Sequence, residues 1–196
     1  MVWNGLGECK QLEIREVPLR EKSIVFIGFM GVGKTTIGSR VAKKLYRDFY
    51  DIDVEIEKIY GMPVTKIFES VGEAEFRQKE KEIIFKLCSQ RLNIVSLGGG
   101  AFLQQDIRDF CLENCIVFFL DLSWDSWKDR INLIIDSRPV LKGRTLEEIE
   151  ELFYKRQEIY SLHHSRVPTD QFEIEEAATY IADSIRLAWE LYEPQK

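Results

Sequence analysis

Residues 28–35 read GFMGVGKT, with glycines, a lysine and a threonine at the spacing of a loop that cradles phosphates. Gly28, Gly31 and Gly33 let the backbone turn its N–H groups inward around β- and γ-phosphates. Lys34 adds a point charge there, Thr35 supplies a hydroxyl for Mg2+, and Val32 and Thr36 belong to the same nucleotide-binding stretch. DID (51–53) offers two carboxylates. Two apart in an extended segment, Asp51 and Asp53 point the same way. One near Mg2+ and the other near an acceptor hydroxyl is a sensible division for phosphoryl transfer; the alternative is a solvated pair, with Asp53 capping the next helix.

Three further stretches carry candidate chemistry. In GEAEFRQKE, Arg77 and Glu80 are three apart on a helix. They either fix one guanidinium in place or form one more surface ion pair. SLGGGA sets Gly98, Gly99 and Gly100 just past an apolar strand. Such a run is costly in backbone entropy and suits a ligand that must touch bare N–H groups. Arg138 in SRPVL and Arg156 in KRQEIY are not singled out by spacing alone.

These stretches need elements that bring them together. Short β-rich runs alternate with helical patterns, the signature of a parallel sheet with helices on both faces. SIVFIG (23–28) reads as the first strand, followed by a helix from Lys34 with Ile37, Val41 and Leu45 on one face. FYDID (49–53) ends a second strand; VEIEKIYG and GEAEFRQKEKEIIFKLCSQ are helical. NIVSLGGG (93–100) and IVFFLDL (116–122) give strands three and four. A helix over about 123–134 leads to SRPVLKGRT (137–145), which has the residues of a mobile crossing. LEEIEELFYKRQEIY is a helix, RVPTD (166–170) a fifth strand that Pro168 confines to an edge, and a last helix closes the chain. The reading is one α/β domain over 23–196, preceded by a loosely attached extension, 1–22. Ligands of such a sheet bind beyond the carboxyl ends of its strands.

Composition narrows the partners. The 196 residues carry a net charge of -6, and the pI is about 5.2, which argues against a broad surface for nucleic acid or anionic membrane. The N-terminus has no basic start followed by an apolar stretch, and nothing approaches the ~18 apolar residues of a membrane span, so the chain reads as cytoplasmic. Cys9, Cys88, Cys111 and Cys115 form no CxxC pair, and Cys111 and Cys115 read as half-buried thiols rather than a metal or redox pair. His163 and His164 read as helix-end residues, and Phe118, Phe119, Trp124 and Trp127 as packing.

Taken in order, GFMGVGKT, DID, GEAEFRQKE, GGG, RPVL and RQEIY resemble the motif series of the shikimate kinases over roughly residues 23–190. The resemblance implies a P-loop kinase fold with strand order 2-3-1-4-5 and a mobile lid at about 136–146. It implies an ATP-dependent kinase that phosphorylates the 3-hydroxyl of shikimate, acting as a monomer with Mg2+. By the same resemblance, Asp53 is the base, and Asp51 holds Mg2+ through water beside Thr35. Arg77 and Arg156 clamp the shikimate carboxylate, with the last glycines of Gly98–Gly100 as backbone donors. Glu80 orients Arg77, Arg138 is the lid arginine over the transferring phosphoryl group, and Arg130 lies against the adenine. Val140 stands where leucine is usual, and INLIID before the lid arginine is more apolar than the family's charged stretch.

Other readings are a related small-molecule kinase acting on gluconate or a nucleoside monophosphate, a GTPase switch, or an inactive kinase serving as an interaction module. A nucleotide acceptor needs a base pocket and more phosphate-binding arginines. The chain has no N-K-x-D guanine motif, and it keeps Lys34, Asp53 and Arg138.

Overall fold

The computed structural model describes residues 17–129, Leu141 and 143–192, together with a short antiparallel pairing of Val2–Trp3 with Cys9–Lys10. Arg130, Arg138 and most of the expected lid lie outside the described residues.

Five strands form one parallel sheet: β1 (Ile24–Ile27), β2 (Asp48–Asp51), β3 (Asn93–Ser96), β4 (Ile116–Asp121) and β5 (Ser165–Pro168). Their order is β2-β3-β1-β4-β5, the expected 2-3-1-4-5. β1 lies at the centre, with Val25 in register with Val95 on one side and Val117 on the other. Its four residues are all buried, which is why the run is continuously apolar rather than alternating. β5 is an edge strand, so Pro168 costs no ladder bond on a second side.

The helices are α1 (Lys34–Leu45), α2 (Ile52–Tyr60), α3 (Val64–Ser89), α4 (Gln105–Asn114), α5 (Trp124–Lys128), α6 (Leu146–Tyr160) and α7 (Ile174–Tyr192). α1 buries Ile37 and Val41 and packs along α7. α6 begins where the sequence places it, because Thr145 and Glu148 form a reciprocal capping box.

The structure departs from expectation in three places. β2 stops at Asp51, and Asp53 belongs to the first turn of α2. The Asp51 carboxylate, not that of Asp53, caps this helix: its Oδ1 accepts from the N–H groups of Asp53 at 3.1 Å and Val54 at 3.4 Å. The two aspartates are therefore not an extended pair. α3 starts at Val64, two turns before the expected GEAEF segment, and is broken at Gly72, whose φ of 81° and ψ of 168° are not helical. Cys88, Cys111 and Cys115 are buried free thiols, so Cys111 and Cys115 are fully rather than half buried.

The two histidines follow α6, as read. His164 exchanges two bonds with Val117: its N–H donates to the Val117 carbonyl, and its Nδ1 accepts from the Val117 N–H, both at 3.0 Å.

Candidate active site

The carboxyl ends of β1, β2 and β3 open onto one edge, and the loops that leave them build two adjoining cavities. The first lies over the β1–α1 loop. It encloses about 220 Å³ and is lined by Gly31, Gly33, Lys34, Thr35, Thr36 and Asp51, among others. α1 starts at Lys34 behind Gly33, and no side chain caps it. Its first N–H groups, which have no partner within the helix, are thus presented to an anion together with the positive end of the helix dipole.

Lys34 is folded back into its own loop, with Nζ donating to the carbonyls of Gly28 and Phe29 at 2.8 Å each. Its charge is fixed by backbone rather than left on a flexible stem. The Thr35 hydroxyl donates to Asp51 Oδ2 at 2.5 Å, while the other Asp51 oxygen caps α2. Val32 turns its side chain into the core, so it joins the loop through backbone alone.

The second cavity encloses about 600 Å³. Arg77 comes from the second arm of α3, Arg156 from α6, and Gly98, Gly99 and Gly100 from the turn after β3; all line it with Asp53 and Glu80. Met30, Asp53, Gly98 and Gly99 line both cavities.

The two arginines are held differently. Arg77 donates from Nη1 to Glu80 Oε2 at 2.7 Å, and its Nε lies 3.4 Å from Glu73 Oε1. The guanidinium lies over the rings of Phe68 and Phe76. Burial draws Arg77 down, but the charge and hydrogen bond of Glu80 reverse this and raise it. Arg156 donates from Nη1 to the Gly99 carbonyl at 3.2 Å and lies over Phe29, with its centre 5.5 Å from the ring centroid. Burial, and then the like charge of Arg77 against the help of Tyr160, holds Arg156 below its ordinary value. A buried cation, Arg156, and a half-buried one, Arg77, that repel each other across one cavity favour an anion between them.

Glu80 is wholly buried. Burial outweighs the attraction of Arg77 and pushes its carboxyl up to about 7, with the Asp53 charge adding to the rise. Its Oε1 has no hydrogen-bond partner among the described residues. Two of the three glycines lie against the site's own side chains. A Cβ on Gly98 would lie 2.8 Å from Asp53 Oδ1, and one on Gly100 would lie 2.7 Å from Arg77 Nη2.

Of the residues that the sequence assigns to the site, Gly31, Gly33, Lys34, Thr35, Thr36, Asp51, Asp53, Arg77, Glu80, Gly98–Gly100 and Arg156 line the two adjoining cavities; Gly28 and Val32 line neither, Gly28 accepting from Lys34 through its carbonyl and Val32 packing into the core. Three contributors were missed. The Trp127 indole N–H donates to the Met30 carbonyl at 2.7 Å, so a residue read as packing also holds the phosphate loop. The Tyr160 hydroxyl donates to the Gly99 carbonyl at 2.5 Å. Within the same planar trans peptide, the Gly100 N–H points in the direction opposite to that carbonyl. Gln104 donates from Nε2 to Glu80 Oε2 at 2.9 Å. Only Tyr160 had a signal in the sequence, as the tyrosine of RQEIY.

Residues 30–186 match the family model described as shikimate kinase. The chain is 63% identical over 177 residues to the shikimate kinase of Oceanobacillus iheyensis, a match covering 90% of this chain and 97% of that one. It is 56% identical over 181 residues to the shikimate kinase of Bacillus subtilis, covering 92% and 97%. Among solved structures, the shikimate kinase of Acinetobacter baumannii in complex with shikimate superposes with a TM-score of 0.79 at 31% identity, covering 86% of this chain and 94% of that one.

Proposed function

This chain belongs to the shikimate kinase family and is an ATP-dependent kinase, and from that premise we propose how its residues divide the transfer of the γ-phosphoryl group to the 3-hydroxyl of shikimate. Arg77 and Arg156 hold the shikimate carboxylate by charge-assisted hydrogen bonds, which lets an acidic protein bind an acidic acceptor. The Gly99 and Gly100 N–H groups stand beside them as neutral donors. Held at that end, the ring presents its 3-hydroxyl to Asp53.

Asp53 takes the hydroxyl proton as the oxygen attacks the γ-phosphorus. The bond from that phosphorus to the β,γ-bridging oxygen breaks, and ADP leaves. The observation that carries this reading is the place of Asp53, in the wall common to the phosphate cavity and the carboxylate cavity. The transition state is loose, with charge spread over the equatorial phosphoryl oxygens, where Lys34 and the lid arginine Arg138 act. Arg130 is assigned to the adenine.

Thr35 and Asp51 suit Mg2+: hydroxyl and carboxylate oxygens already meet at the mouth of the phosphate cavity, and Mg2+ takes few protein oxygens beside phosphate and water. Held at Thr35 and Asp51, Mg2+ would supply positive charge to offset that of the nucleotide phosphates. We place the protein in the cytoplasm as a monomer that engages neither nucleic acid nor membrane. Residues 1–22 form an extension to a single catalytic domain, 23–196.

The test is ADP release from Mg-ATP with shikimate, gluconate or a nucleoside monophosphate as acceptor. Release dependent on shikimate, lowered by roughly a hundredfold or more in kcat in Asp53→Asn and weakened chiefly in KM for shikimate in Arg156→Ala, is the expected result. Release driven by either of the other acceptors, and not by shikimate, overturns the assignment of the clamp.

A further inference from the structure

Gln104 occupies the N-cap position of α4, a place where Ser, Thr, Asp or Asn would bond the first free N–H groups. It does not cap: no side-chain hydrogen bond to its own helix is made. Its amide instead reaches back to α3 and donates to Glu80 Oε2, the same oxygen that accepts from Arg77. It also lines the acceptor cavity.

From this geometry we infer that Gln104 is a positioning residue of the carboxylate clamp, holding the Glu80 carboxylate turned toward Arg77 so that the guanidinium keeps its place for the acceptor. The inference rests on the clamp reading above and deepens it. Glu80 is faced by Arg77 and, behind it, Glu73 from its own helix, by Asp53 from α2, and by Gln104 from the turn before α4; Arg156 of α6 lies across the cavity. Burial and Asp53 oppose the ionised form, and Arg77 and Gln104 favour it. Two donors on one oxygen therefore balance a carboxylate that is otherwise poorly solvated. Without Gln104, Glu80 takes up a proton at higher pH. Its pairing with Arg77 then weakens to a neutral hydrogen bond.

Gln104→Asn and Gln104→Leu test this. Asn is one methylene too short to reach Glu80 yet is a favoured N-cap, so the cap it forms should offset part of the stability lost with the bond to Glu80, and Gln104→Asn should fold and melt closer to the wild type than Gln104→Leu. In both variants KM for shikimate at pH 7 should rise on the order of tenfold, as expected for a lost hydrogen bond to a charged group, with kcat and KM for ATP little changed. The acid limb of kcat/KM for shikimate should move up by about one pH unit. A profile superposing on that of the wild type, or losses of kcat and thermal stability in parallel, overturns the inference.

The Glu80 carboxyl can also be titrated without any acceptor, by 13C NMR assigned with Glu80→Gln. It should titrate at higher pH in Gln104→Asn, and an unmoved titration overturns the positioning role. If wild-type ADP release ignores shikimate while the Glu80 titration still moves, the clamp assignment has failed and the Gln104–Glu80 coupling stands.

Discussion

The Cα of Gly100 abuts the guanidinium of Arg77: a Cβ there would lie 2.7 Å from Nη2 and 3.1 Å from Nη1. Gly98 stands in the same relation to the proposed base, its Cβ falling 2.8 Å from Asp53 Oδ1. Both clashes are with ends of side chains, which move more readily than backbone. Gly100→Ala should therefore fold and raise KM for shikimate, whereas Gly98→Ala should fold and lower kcat. Gly28→Ala is different, because its Cβ would meet the Leu120 carbonyl at 2.5 Å from a φ of +142°. It should lose thermal stability outright. Steady-state kinetics beside a melting curve for each variant separates the three.

Replacing Asp53 by Asn keeps shape and removes the proton acceptor. General-base contributions of this kind run to roughly a hundredfold to ten-thousandfold, and kcat should fall within that range while shikimate still binds. The exchange also removes a negative charge that Glu80 feels, so Asp53→Asn should melt no lower than the wild type. Calorimetric binding and a thermal scan check both; a loss of shikimate binding equal to the loss of rate would argue against the base role.

Glu80 gives stability a pH dependence of defined sign. Its carboxyl is pushed from the ordinary 4.5 to about 7 in the folded chain. Between those values the folded state holds a proton that the unfolded state has released, so stability falls as pH rises through the window and levels off above it. The slope from one such group approaches about 1.4 kcal/mol per pH unit. Glu80→Gln, never charged, should remove that slope and be relatively more stable at pH 8, while shikimate binding weakens for want of a counter-charge on Arg77. Denaturant unfolding of both proteins at pH 5, 6, 7 and 8 measures the difference.

Trp127→Phe keeps most of the ring packing with Phe29 and Phe153 but deletes the donor to the Met30 carbonyl. An unsatisfied buried carbonyl costs about 1–3 kcal/mol. Since Met30 lines both cavities, KM for ATP and KM for shikimate should rise together. A rise in only one of them would mean that the indole steadies one side alone.

What could be read from the sequence was local. β1, the phosphate loop and α1 follow one another within a short stretch, and α6 announces itself by its apolar spacing. The end of β2 was misread because Asp51 is at once the last strand residue and the helix cap. The first arm of α3 went unseen because Gly72 interrupts the pattern with a backbone no helix adopts. Gln104 and Trp127 were invisible as site residues for another reason. Their partners, Glu80 and Met30, lie 24 and 97 positions away, and nothing near either residue marks the contact.

The three buried thiols of Cys88, Cys111 and Cys115 join the end of α3 to α4 and the start of β4 at the pole of the sheet opposite the ligands. A reagent that traps thiols reaches them only when this end of the core opens, so the rate of their modification is a clock for that opening. Because the site lies at the other end, comparing the clock with and without bound shikimate and ADP reads whether substrate tightens the whole molecule or only the edge it occupies.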